Sequence, residues 1–283
     1  MKGQVVKIRS GKYFVKSENG LFVCSARGGL RIKSDGIVTG DYVEFDEKKL
    51  TVDKLLPRKN LFYRPNVANV DAVNVVVACP PPPDFLMLDK LIVSLCSEKV
   101  QVYISVNKTD VNNDTFDRVK RDYAMAGFPV YSVSAKTGEG IEALKNEFKG
   151  KLVAFAGQSA VGKSSLLNAL FGLELKTGDV SEKTLRGKHT TTAAEIFEKD
   201  GVRIVDTPGF SVITPNLLPE ELGLFYPEYF AKLQECKYRG CTHTGEPGCA
   251  VQKAVETGEL CRERYLRYKA IFEELKEIQS KKY

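Results

Sequence analysis

Residues 157–164 carry the clearest chemistry in the chain. Gly157, Gln158, Ser159, Ala160, Val161, Gly162, Lys163 and Ser164 read GQSAVGKS, between an apolar strand, KLVAFA, and a helix that continues through Ser165 as SSLLNALF. Glycines let backbone N–H groups turn toward a phosphate, and a helix N-terminus adds partial positive charge. Lys163 can then reach the β- and γ-phosphates while Ser164 binds Mg²⁺. This pattern alone fits an ATPase or P-loop kinase as well as a GTPase.

The base is named elsewhere. Asn107, Lys108, Thr109 and Asp110 read NKTD directly after the apolar run QVYISV, and Ser134, Ala135 and Lys136 follow the next such run. Loops at the carboxyl ends of buried strands are where open α/β sheets meet ligands. A carboxylate at Asp110 can accept from the ring N–H and the exocyclic amine of guanine together, a pair that adenine does not offer. The Ala135 N–H could donate to the guanine carbonyl. DTPG, Asp206 to Gly209, follows VRIV; Asp206 would hold Mg²⁺ and the Gly209 N–H would meet the γ-phosphate. Thr190, Thr191 and Thr192 offer a first-switch Mg²⁺ ligand, Thr191 being the one assigned. Phe210 stands where many GTPases place a water-orienting glutamine, so slow intrinsic hydrolysis is expected. His189 is the nearest candidate for the catalytic group, beside Lys163 and Gly209, and a packing or solvent role for it stays open.

A different chemistry lies near the C-terminal end. Cys236, Cys241, His243 and Cys249 form a Cys-x4-Cys-x-His-x5-Cys array within 14 residues, a donor set suited to tetrahedral, structural Zn²⁺. Of the four cysteines outside the array, Cys24, Cys79 and Cys96 sit singly in apolar runs, and Cys261 follows 12 residues after Cys249.

These sites need elements to position them. The chain has 283 residues, 43% hydrophobic and 28% charged, which excludes disorder throughout. Residues 66–213 alternate apolar runs with amphipathic stretches, the pattern of a parallel α/β sheet, and Asp84 after PPPP is placed to cap a helix. Residues 1–65 read as short strands with an Asn19-Gly20 hairpin turn, a small barrel of oligonucleotide-binding (OB) type being one that fits. Residues 214–283 read as a mainly helical segment around the cysteine array, with Tyr265, Tyr268 and Phe272 as a packing stripe.

The formal charge of +6 is unevenly spread. Residues 1–65 hold 14 basic and 7 acidic side chains, and the remainder is close to neutral. With Tyr13, Phe14 and Phe22 nearby, that excess points to RNA, unless the rings fill the barrel core. No run reaches the roughly 18 apolar residues of a spanning helix, and MKGQVVKIRS has no leader-like apolar stretch. A cytoplasmic monomer without membrane contact is expected.

The order of the motifs is itself informative. A translation-factor-like GTPase runs phosphate loop, switch threonine, DxxG, NKxD, SAK; here NKTD and SAK come first, a circular permutation that preserves spatial neighbours. Over essentially its whole length the sequence resembles the ribosome small-subunit-dependent GTPase A (RsgA) family, through NKTD, SAK, GQSAVGKSSLLN, GKHTTT, DTPGF and CKYRGCTHTGEPGCAV. The resemblance implies an OB-fold, a permuted GTPase and a zinc domain. It also implies conversion of GTP to GDP, stimulated by the small ribosomal subunit and its rRNA during late subunit maturation. An RNA-binding protein with a structural, unhydrolysed nucleotide is the alternative.

Overall fold

The computed structural model describes residues 1–26, 36–63, 65–172, 194–210 and 215–281, with 206–210 described by backbone alone. His189, Thr190, Thr191 and Thr192 lie outside the described residues. The chain divides into two compact units, Met1–Asn74 with Ile141–Gly157 and Lys163–Ser211, and Val75–Gly140 with Gln158–Gly162 and Val212–Tyr283.

In the first unit, alternating apolar residues build β1 (Lys2–Arg9), β2 (Lys12–Ser17), β3 (Gly20–Ala26), β4 (Tyr42–Asp46) and β5 (Thr51–Leu55). β1 pairs with β2, β2 with β3, β3 in parallel with β5, β5 with β4, and β4 returns to β1. That closed five-strand circuit is the OB barrel, in which closure removes exposed edges. Its interior is filled by Val5, Val15, Cys24, Val43, Phe45 and Val52. Tyr13 and Phe22 pack against this core, Phe22 with its ring centroid 5.3 Å from that of Phe45, so packing claims two of the three rings considered for RNA stacking. The hairpin turn is Glu18-Asn19, since Gly20 already pairs with Ser17, one residue earlier than the Asn-Gly signal predicts. β6 (Leu61–Tyr63) and β7 (Asn66–Ala68) form a separate ribbon.

The same unit carries β11 (Leu152–Ala156), β12 (Glu195–Lys199) and β13 (Val202–Phe210), in the order β11-β13-β12-β1. β11 and β13 are parallel and β12 runs antiparallel to β13. The barrel is stitched to β12 by the register Lys7↔Glu195, by ion pairs Lys7–Glu195 and Lys16–Glu198 at 2.6 Å each, and by Thr39 Oγ1 donating to the Ala194 carbonyl at 2.8 Å.

The second unit holds most of β8 (Ala72–Ala78), β9 (Gln101–Asn107) and β10 (Val130–Ser132), in the order β10-β9-β8, with β9 and β10 parallel. α1 (Phe85–Ser97) starts where Asp84 Oδ1 accepts from the Met87 N–H at 2.9 Å, the predicted cap. α2 (Asp114–Tyr123) follows β9, whereas α3 (Ile141–Phe148) and α4 (Lys163–Phe171) belong to the first unit. Beyond residue 215 come a 3-10 helix (Pro219–Phe225), α5 (Pro227–Phe230), α6 (Ala250–Glu256) and α7 (Arg262–Ser280). Tyr265, Tyr268 and Phe272 of α7 are buried as predicted, in a cluster with Tyr226, Tyr229 and Val93 of α1. No helix among the described residues is long and apolar enough to cross a membrane.

Candidate functional site

β9 delivers Asn107, 2% exposed, to the end of the sheet. Its Nδ2 donates to the Val161 carbonyl of the phosphate loop at 3.0 Å, and its Oδ1 accepts from the Ala135 N–H at 3.1 Å. One amide therefore ties the phosphate loop to the loop after β10. The Ala135 N–H is already used by Asn107, so a guanine carbonyl would have to share it. Gly162, at φ +88°, packs so closely that a Cβ there would lie 2.5 Å from Asn107 Nδ2, which is why no larger residue fits.

Lys108 takes a left-handed backbone, φ +65°, and its Nζ donates to the Pro80 carbonyl at 2.7 Å and the Ala160 carbonyl at 2.8 Å. Thr109 Oγ1 donates to the Val133 carbonyl at 3.0 Å. Asp110 is exposed, and its Oδ1 accepts from the buried Ser134 Oγ at 2.7 Å. Lys136 is exposed beside it. Gln158 uses its Oε1 to accept from the Asp84 N–H at 3.1 Å. The roles of Pro80 and Gln158 escaped sequence reasoning because a proline carbonyl carries no side-chain signature and Gln158 is 74 residues from its partner.

At the phosphate end, Ser159 and Ala160 are exposed, and Lys163, Ser164 and Ser165 form the half-buried first turn of α4. Lys163 Nζ donates to the Gly157 carbonyl at 2.9 Å, and burial lowers its pKa from the usual lysine value. A desolvated cation at a helix N-terminus is suited to a polyphosphate. β13 continues through Asp206 to Phe210, pairing Asp206 with Glu195 and Phe210 with Ala156, so DTPG lies within the strand rather than after it.

The ligand atoms of Cys236, Cys241, His243 and Cys249 lie within 4.8 Å of one another. His243 presents Nδ1 to the thiols, 3.4 Å from Cys249 Sγ and 3.7 Å from Cys236 Sγ. The Ala250 and Gln252 N–H groups donate to Cys236 and Cys249 at 3.4 and 3.5 Å, an arrangement that supports thiolates. Burial pushes Cys241 up to about 12, a cost that a bound dication removes. Three sulfurs and one nitrogen at this spacing fit a closed tetrahedral ion. The loop is braced by Glu246, which accepts from Thr242 N and Oγ1 at 2.6 Å and from Thr244 N at 2.9 Å. Tyr265 and Tyr268 hydroxyls donate to the His243 and Thr242 carbonyls at 2.8 and 2.6 Å. On the far side of the imidazole, a Cβ on Gly223 would come 3.1 Å from His243 Cδ2, so the 3-10 helix seats directly on this ligand.

A buried asparagine joining phosphate loop and base loops, with the base motifs first in sequence, together with an OB barrel and a cysteine–histidine cluster, defines a circularly permuted P-loop GTPase. The comparisons agree and narrow it. The RsgA GTPase model matches residues 55–215 and the RsgA N-terminal domain model residues 2–52. The chain belongs to the RsgA family. It is 40% identical to the small ribosomal subunit biogenesis GTPase RsgA of Ruminiclostridium cellulolyticum, covering 98% of this chain and 94% of that protein. It is 41% identical to the protein of the same name from Geobacillus sp. strain WCH70, covering 98% of each. Among solved structures it resembles YjeQ from Thermotoga maritima, with a TM-score of 0.83 at 36% identity over 97% of this chain and 98% of that one. It also resembles YloQ, described as a circularly permuted GTPase, with a TM-score of 0.82 at 33% identity over 98% and 95%.

Proposed function

We propose that the protein hydrolyses GTP to GDP and phosphate in the biogenesis of the small ribosomal subunit, acting in the cytoplasm as a monomer stimulated by that subunit. The observation that carries this reading is Asn107, whose two amide atoms hold the phosphate loop and the base loop in one geometry. Asp110 reads guanine, Lys108 lies along the base, and Gly157 to Ser165 cradle the phosphates. Ser164, Asp206 and Thr191 would hold Mg²⁺, which neutralises charge on the β- and γ-oxygens. Lys163 stabilises charge that develops on those oxygens as the terminal phosphate leaves. The Gly209 N–H meets the γ-phosphate, and His189 assists the attacking water. Loss of that phosphate is felt beyond residue 213, because the permutation joins the second switch to the C-terminal segment.

Residues 1–65 serve as the rRNA-binding module, 66–213 as the GTPase and 214–283 as the zinc module. Cys236, Cys241, His243 and Cys249 would hold one Zn²⁺, which supplies structural cross-linking. The test is phosphate release from GTP in Mg²⁺ with ATP as competitor. Release that ATP does not suppress, and that Lys163→Ala abolishes, supports the reading; equal competition by ATP sinks it.

A further inference from the structure

The loop after β8 and the helix it starts touch the nucleotide-binding loops at two points and the C-terminal helix at a third. The Pro80 carbonyl receives Lys108 Nζ jointly with the Ala160 carbonyl, and the Asp84 N–H donates to Gln158 Oε1. Five residues on, about one and a half turns along α1, Asp89 is fully buried and is gripped by Arg264 and Arg267 of α7. Tyr123 Oη donates to the same carboxylate at 2.8 Å, and Glu228 binds the far side of Arg264. A buried carboxylate cannot be left uncompensated without large cost, so this helix cannot shift unless the arginines follow. The grip is not fully satisfied: Arg264 Nη2, Arg267 Nη2 and Asp122 Oδ2 are buried without a hydrogen-bond partner. Arg267 also faces Asp122, with Nη1 3.6 Å from Oδ2, so both α2 and α1 are held by the same arginine.

We propose that Arg267 and Gln158 are positioning residues of the nucleotide site, coupled through α1, so that the seat of the C-terminal helix on Asp89 sets how firmly guanine nucleotide is held. The inference rests on the reading of 107–110 and 157–164 as that site. α1 acts as a short lever. At its N-terminal end the Asp84 amide fixes the phosphate loop through Gln158, and the adjoining Pro80 carbonyl fixes Lys108. At its second turn two cations of α7 fix Asp89. A partner that displaced α7 would loosen both nucleotide contacts together, and tight nucleotide binding would by linkage strengthen the α7 seat.

The test uses the full-length protein and measures dissociation of GDP carrying a fluorescent ribose label, in Mg²⁺. Arg267→Met leaves Asp89 paired with Arg264 and Tyr123 but also removes the contact with Asp122, so thermal midpoints are recorded for every variant. Arg267→Met and Gln158→Leu should each speed dissociation by roughly fivefold, the lower end of what coupled sites show. The double variant should dissociate little faster than either single one, because both cut the same connection. Arg267→Lys, which restores a positive charge facing Asp89, should return the rate toward the original. Dissociation unchanged in Arg267→Met, whether or not its thermal midpoint falls, or a double variant whose rate is the product of the two single effects, overturns the proposal. If the unaltered protein fails to retain labelled GDP, the nucleotide reading itself falls, a result distinct from either of those.

Discussion

Asp110 and His243 show how single atoms decide what these sites accept. Asp110 keeps one carboxylate oxygen on Ser134 and the group is exposed to a base. Asp110→Asn replaces an acceptor by a donor facing the donor edge of guanine, which should weaken GTP binding by at least about 100-fold. The same change should improve binding of xanthosine triphosphate, whose C2 oxygen accepts; a competition titration between the two nucleotides measures both. For the metal ligand, Gly223→Ala places a methyl 3.1 Å from the His243 ring. The ring must give way, so if the proposed Zn²⁺ is held there it should be lost to a chelator about tenfold more readily. Retention equal to the original protein would mean that the 3-10 helix does not support the ligand.

The strands are where the sequence was most readable. QVYISV and KLVAFA are largely apolar because both faces are covered, and Asp84 caps its helix by accepting from the otherwise unpaired Met87 amide of the first turn. The clustering of the cysteine array was equally plain, since four ligand-type side chains spaced through one short loop are brought within 4.8 Å of one another. What escaped was set by distant partners. Asp89 meets Arg264 175 residues later, and Gln158 meets Asp84 across 74; no local period encodes such pairs. The barrel seam on β12 is of this kind. Thr39 is buried with its hydroxyl on the Ala194 carbonyl, so Thr39→Val should cost about 1 kcal/mol, read as a lower denaturation midpoint at unchanged slope. A neutral result would place the seam's strength in the Lys7–Glu195 and Lys16–Glu198 pairs instead.

At the scale of the molecule, charge and connectivity point the same way. The positive excess sits in residues 1–65, and the closed barrel there spends Tyr13 and Phe22 on its core. On the proposed rRNA-binding role of this module, cations more than stacked rings would carry the affinity. Lys12, Lys48 and Lys54 are exposed on the barrel. Reversing all three should weaken binding to small subunits and flatten its dependence on salt, while GTP binding by the free protein is unchanged. Affinity that stays constant would move the rRNA contact elsewhere. The central claim is that this permuted fold is a GTPase whose turnover answers to the small subunit. The most direct measurement is GTP hydrolysis with and without purified small subunits. Slow turnover alone and a large rise on adding subunits, absent in Lys163→Ala, is the predicted result; a rate that small subunits leave unchanged would contradict it.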